Sequence, residues 1–149
     1  MELLNEMNLS VKSLSCNESF VRSTVAAFCV AANPSLDEIS DIKTAVSEAI
    51  TNCVVHAYPD KVGNIDIKVK LYDKKVDIAI IDYGKGIDNL KLALQPFFTT
   101  KPECERSGMG FTVMESFMDR FSVERNKSKG ITVHMSKEFG KERSYVAGA

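Results

Sequence analysis

Ile65-Asp66-Ile67-Lys68-Val69-Lys70-Leu71, followed by Asp73-Lys74-Lys75 and then Val76-Asp77-Ile78-Ala79-Ile80-Ile81-Asp82, is the stretch that decides the fold. Apolar residues at 65, 67, 69 and 71 alternate with charged residues at 66, 68 and 70. A period of two with one apolar side describes a strand in a sheet that has one wet face and one covered face. Asp73-Lys74-Lys75 makes a turn, and Val76, Ile78 and Ile80 resume the alternation, as expected of a second strand.

Upstream, Met7, Leu9 and Val11 alternate with Asn8, Ser10 and Lys12, which predicts a strand over about 5–13. Ser15-Cys16-Asn17-Glu18 has the S-x-x-E form of a capping box, and the helix it opens carries Phe20, Thr24 and Phe28 on one line with Val21 and Val25 beside it. That helix stops before Asn33-Pro34. Ser35-Leu36-Asp37-Glu38 is a second capping box, and its helix is expected to reach about His56, before Tyr58-Pro59-Asp60. Downstream, the pattern dissolves between Asp82 and Gly110 into a stretch bearing glycine, proline and threonine, with one short helix near Leu90. A connection of that length in a compact domain is usually a functional lid or a mobile loop. A helix from Gly108 to about Arg120 and two strands, around 121–124 and 131–135 on either side of Asn126-Lys127-Ser128-Lys129-Gly130, complete the pattern. Helices and strands segregate, so the fold class is α+β: a mixed, mostly antiparallel sheet with helices packed on one face.

The 149 residues are expected to form one domain over 1–137, with residues 138–149 as a frayed tail. A net charge of −1 gives no electrostatic case for nucleic acid or an anionic membrane. No apolar run approaches the roughly 20 residues that span a bilayer, and the N-terminus is acidic rather than a secretion signal. The four cysteines, Cys16, Cys29, Cys53 and Cys104, are widely spaced and form no C-x-x-C pair, which fits a reduced, cytoplasmic protein without a zinc site.

Three short segments carry the chemistry. On the second helix Ile39, Ile42, Val46, Ile50 and Cys53 form an apolar stripe, and Glu48 and Asn52 sit together on the other side, one turn apart. That side is either a solvated face or one wall of a cleft. In a cleft, the Asn52 oxygen can join phosphates and waters around Mg2+, and Glu48 can take a proton from an attacking hydroxyl. Asp82-Tyr83-Gly84-Lys85-Gly86 closes a strand. It is either a plain strand-to-loop turn, or a carboxylate for the exocyclic amine of adenine followed by glycines that let the backbone pass close to base and ribose. Ser107-Gly108-Met109-Gly110 opens a helix, where unpaired N–H groups attract phosphate, and Arg106 just before it can fork onto phosphate oxygens. Close helix packing and solvated loop charges are the alternatives there. Lys101 reads as a solvated loop charge, and His56 and His134 as structural. No Walker-type G-x-x-x-x-G-K-[ST] is present, and the protein-kinase loop signatures are missing.

In this order, the three segments resemble the N, G1 and G2 boxes of the GHKL superfamily, which includes gyrase B, Hsp90, histidine kinases and MutL. The resemblance covers nearly the whole chain and implies the Bergerat fold, with ATP held beneath a flexible lid. It implies Glu48 as general base, Asn52 as Mg2+ ligand and Asp82 as adenine partner. Gly84, Gly86, Gly108, Met109 and Gly110 would form the backbone cradle, Thr99 and Thr100 would serve as lid hydroxyls at the nucleotide, and Thr132 would lie near adenine. Asn17-Glu18-Ser19-Phe20, His56-Ala57-Tyr58 and above all Pro96-Phe97-Phe98-Thr99-Thr100-Lys101-Pro102 through Glu105-Arg106-Ser107-Gly108-Met109-Gly110-Phe111-Thr112 are similar to the sporulation anti-sigma kinases of endospore-forming bacteria.

That narrower resemblance implies a homodimeric, ATP-dependent serine-protein kinase. It would hold a sigma factor and phosphorylate a serine of an anti-anti-sigma protein, with Arg106 stabilising transferred charge and Arg22 docking both partners. Two departures from wider relatives stand out. Arg106 occupies a position that is often glycine in sensor kinases, and Ile131 stands where threonine is common. A stress-response anti-sigma switch kinase and a non-catalytic, ATP-gated sigma-binding module are the alternatives. A sensor histidine kinase would need a phosphoacceptor His on a dimerisation helix pair, and neither His here precedes one.

Overall fold

The computed structural model describes residues 1–88, 90–95 and 110–141. Strand β1 (Leu3–Lys12) leads into helix α1 (Cys16–Cys29), a 3-10 turn and helix α2 (Leu36–Asn52). The hairpin β2 (Asn64–Tyr72) and β3 (Lys75–Asp82) follows, then the short helix α3 (Leu90–Ala93), helix α4 (Gly110–Phe117), and strands β4 (Arg120–Arg125) and β5 (Ile131–Glu138). The strands form one sheet in the order β1-β2-β3-β5-β4. Every described pairing is antiparallel, so the expected mixed sheet is antiparallel throughout among the described residues.

The alternation read from residues 65–82 translates directly into burial. Ile65, Ile67, Val69 and Leu71 of β2, and Val76, Ile78 and Ile80 of β3, point into the core, joined by Ile131, Val133 and Met135 of β5. Helices cover this face, with α2 packed between α1 and α4. Ile42, Val46, Ile50 and Cys53 are buried as the stripe predicts, and Ala45 and Ala49 between them keep the helix surface low where its neighbours approach. Helix α1 turns a different face inward from the one its aromatic residues suggest. Val21, Val25 and Cys29, spaced by four, are fully buried, whereas Phe20 is 51% exposed. The slimmer stripe lets α1 lie closer to α2.

The two capping boxes have different outcomes. Ser35 accepts the Glu38 N–H at 3.1 Å, and the Glu38 carboxylate accepts the Ser35 N–H at 2.8 Å, so both halves of the box form. Ser15 is already helical, with φ −58 and ψ −30, and its side chain makes no cap bond. Backbone turns serve the early N–H groups of α1 instead, with Asn17 N–H on Leu14 O at 2.9 Å and Glu18 N–H on Ser15 O at 3.2 Å. Glu18 is thereby released to pair with Arg22 at 3.1 Å.

Glu38 does a second job. Its other oxygen accepts the Gly140 N–H at 2.9 Å, tying the end of the chain's last strand to the start of α2. Strand β5 reaches Glu138, and Phe139 is buried, so regular packing runs a little past Lys137. Burial pushes the Glu38 carboxyl up, but hydrogen bonds from Ser35 and Gly140, with Lys137 nearby, outweigh it and leave the group below its ordinary value of 4.5. A carboxyl held low in the folded state contributes stability that is present above its unfolded pKa and is lost as pH falls through the folded pKa. Glu38→Gln should therefore cost about 1–2 kcal/mol at neutral pH. The gap to the parent should close as pH drops below 4.5. Urea melts at neutral and acid pH check this, and a gap independent of pH would contradict it.

Cys29 and Cys53 are buried, and burial pushes the Cys29 thiol up to about 12, so both act as small apolar residues rather than nucleophiles. No described group of His, Cys, Asp and Glu could by itself hold a metal. No described helix is long and apolar enough to cross a membrane.

Candidate functional site

Asp82 ends β3 and is 3% exposed. Its Oδ1 accepts the Gly84 N–H at 3.0 Å and the Ile131 N–H at 3.4 Å. Among the described residues its Oδ2 accepts no hydrogen bond. Burial raises the Asp82 carboxyl above its ordinary value, and the two N–H bonds only partly oppose that rise. The result is a buried acceptor with one oxygen committed to backbone and the other open to a donor, a match for an exocyclic amine.

The turn after Asp82 is fastened to the end of α2. A Cβ on Gly84 would lie 2.2 Å from Ala57 O, so only glycine permits this approach. Lys85 N–H donates to the same carbonyl at 3.1 Å. Ala57 belongs to a π-helical turn, Cys53–Ala57, that begins immediately after Asn52. The expected continuation of the α-helix to His56 is thus replaced by a wider turn, closed by Tyr58 N–H on Cys53 O at 3.2 Å. That widening presents Ala57 O to the glycine loop. Tyr58 itself is buried; its hydroxyl accepts the Tyr83 N–H at 2.7 Å and donates to Asn64 O at 2.8 Å.

On the other side of Asp82 lies the β4–β5 turn. Gly130 has φ 88, and a Cβ there would meet Asp82 O at 2.1 Å, so left-handed backbone and close approach both demand glycine. Thr132, 7% exposed, pairs in register with Ile81. Its hydroxyl donates to Asn126 Oδ1 at 2.5 Å, which leaves the oxygen of Thr132 as an acceptor only. Gly86, with φ 76, faces Gly130 across this junction.

Glu48 and Asn52 are half-buried on α2, one turn apart, and the π-turn whose Ala57 meets the Gly84 loop begins directly after Asn52. The position of α4 follows from Lys137. Its ammonium bonds Asp41 Oδ2 and Phe117 O, both at 2.8 Å, which sets the C-terminal end of α4 beside the N-terminal half of α2. The two helices pack against each other. Thr99, Thr100, Lys101, Arg106, Gly108 and Met109 lie outside the described residues.

Arg22 lies against α2, with Nη1 on Glu18 at 3.1 Å and on Ser47 Oγ at 3.4 Å, and Nη2 on Ser19 Oγ at 3.2 Å. It therefore sits beside the residue preceding Glu48. His134 pairs with Glu124 at 2.8 Å on the exposed sheet face. Tyr58 and Asn126 were not readable as site residues. Nothing in period or motif marks a hydroxyl or carboxamide whose partner is 25 or 44 residues away.

A family model described as a histidine kinase-like ATPase domain matches residues 16–137, so the chain carries a domain of that class. The chain is 52% identical over 143 residues to the anti-sigma F factor of Caldanaerobacter subterraneus subsp. tengcongensis, covering 96% of this chain and 100% of that one. It is 51% identical to the anti-sigma F factor of Bacillus licheniformis over 141 residues, with 94% and 97% covered. The factor of Clostridium botulinum is 52% identical over 136 residues, with 91% and 95% covered. The chain belongs to the anti-sigma F factor family.

Proposed function

We propose that this chain is an ATP-dependent serine-protein kinase that binds and inhibits a sporulation sigma factor and phosphorylates a serine of its anti-anti-sigma antagonist. One observation carries the nucleotide half of this reading. The buried Asp82 carboxylate, with Oδ1 held by Gly84 and Ile131, keeps Oδ2 for an amine donor beside the helix end that bears Glu48 and Asn52. The family relationship supports the partner half.

In the proposed reaction Glu48 accepts the proton of the substrate serine hydroxyl as the serine oxygen bonds to the γ-phosphorus of ATP. The bond from that phosphorus to the β–γ bridging oxygen breaks, and ADP leaves. Asn52, through its side-chain oxygen, would help hold Mg2+, which would offset phosphate charge. Asp82 and Thr132 orient the base, Gly84 and Gly86 let the backbone approach it, and Gly108, Met109 and Gly110 offer N–H groups to phosphate. Thr99, Thr100 and Arg106 are assigned to the phosphate side of the same site, Arg106 as the stabiliser of transferred charge. Arg22, whose Nη1 reaches Ser47 Oγ, is assigned to docking the partners. A homodimer formed through the edge strand β1 and helix α1, acting in the cytoplasm, completes the proposal.

The partner half is tested by purifying the chain from its native cell with and without added ATP. Recovery of a stoichiometric sigma factor is expected, and the factor's sequence then separates the sporulation reading from the stress-response one. Recovery of the chain free of any sigma factor at every stage of growth would contradict it.

A further inference from the structure

Beyond Asp82, the last residue of β3, the loop to Asp88 has no regular structure and contains two glycines, so its own backbone does little to hold the geometry that nucleotide recognition requires. One side is fastened by Ala57 and Tyr58. The other side is gripped by two consecutive residues where β4 runs into the β4–β5 turn. Asn126 Nδ2 donates to Asp82 O at 2.7 Å and to Lys129 O at 3.0 Å. Its carboxamide orientation is fixed, because Thr132 donates to Oδ1 and only the amine side can serve two carbonyls. Next to it, Arg125 Nε donates to Ile87 O at 3.1 Å, and Nη2 donates to Asp88 O. Side chains one residue apart thus hold carbonyls at the two ends of the loop. This is possible because β4 ends at Arg125, so Asn126 is released from strand alternation.

We propose that Arg125 and Asn126 are positioning residues for the adenine nucleotide. They touch no ligand atom; they hold the Asp82–Asp88 loop in its binding shape, so that Asp82 meets the base already oriented. This rests on the adenine-nucleotide reading of the site. Arg125 is exposed, and its donors and the Asn126 amine all serve loop and turn carbonyls. Their loss should therefore show in ligand binding more than in global stability, because an unpinned loop must be ordered at the expense of binding energy. Base preference should weaken too, since a mobile Asp82 discriminates less between an amine and a carbonyl on the ring.

The test is calorimetric titration of the full chain with ADP and, separately, GDP. Asn126→Asp keeps the acceptor for Thr132 and removes both N–H donors; Arg125→Met removes the fork while keeping much of the stem. Asn126→Asp is expected to weaken ADP binding about tenfold and to narrow the ADP-to-GDP preference, with Arg125→Met weakening it roughly threefold to tenfold. A purely structural role would lower the melting temperature or the active fraction, with the base preference of the folded molecules unchanged, and that result overturns the proposal. ADP affinities within twofold of the parent overturn it as well. Should Asn126→Asp fail to fold, Arg125→Met decides the question alone. Failure of the parent chain itself to bind ADP would instead overturn the nucleotide reading and this proposal together.

Discussion

Glu48→Gln is expected to lower phosphate transfer to the partner serine by roughly 10²–10⁴-fold while leaving ATP affinity within about twofold. The substitution is nearly isosteric and keeps a good helix former on α2, so the apolar stripe of Ile42, Val46 and Ile50 on the other side is undisturbed. What disappears is a basic oxygen one turn before Asn52. The two readouts separate the leading reading from a non-catalytic, ATP-gated module. Transfer assays with a purified anti-anti-sigma substrate, run beside nucleotide titrations, provide both. Undiminished transfer would remove Glu48 from the mechanism; lost transfer together with lost ATP binding would make it a ligand-binding residue instead.

Asp82→Asn should reduce ATP affinity by roughly 30- to 100-fold, on the order of 2–3 kcal/mol. Asparagine can keep an oxygen for the Gly84 and Ile131 N–H groups, but it then turns an amine toward the adenine amine, donor against donor. The same change should not destabilise the empty protein. Burial holds the Asp82 carboxyl above its ordinary value of 3.8, so the folded state binds that proton more tightly than the unfolded chain does. Stability from this group therefore rises as pH falls through the folded pKa, and at neutral pH the buried charge is a cost. Removing the charge should leave the melting temperature equal or higher, opposite in sign to Glu38→Gln. A large fall in melting temperature would show that the Asp82 charge supports the fold rather than a ligand.

What could be read from the chain was what local rules encode. The 65–82 alternation, the Ser35–Glu38 box and the α2 stripe each depend on residues within a few positions, and each appears as expected. The local rule failed at Ser15, where a preceding backbone turn already serves the first amides. Long-range fastening was not legible. Lys137 setting α4 against α2, Tyr58 and Asn126 holding the two sides of Asp82, and the π-turn that presents Ala57 O all depend on contacts that carry no period. The glycines at 84 and 130 were visible as turn residues, but their need arises from specific carbonyls, Ala57 O and Asp82 O, that only the fold brings near.

Following the terminal phosphate tests the proposed kinase activity itself. The purified chain, given γ-labelled ATP, Mg2+ and the anti-anti-sigma protein, should place the label on a serine of that protein, in an acid-stable linkage, and Glu48→Gln should abolish it. Tight ATP binding with no label transferred to the partner, or label appearing in an acid-labile linkage on histidine, would contradict the account.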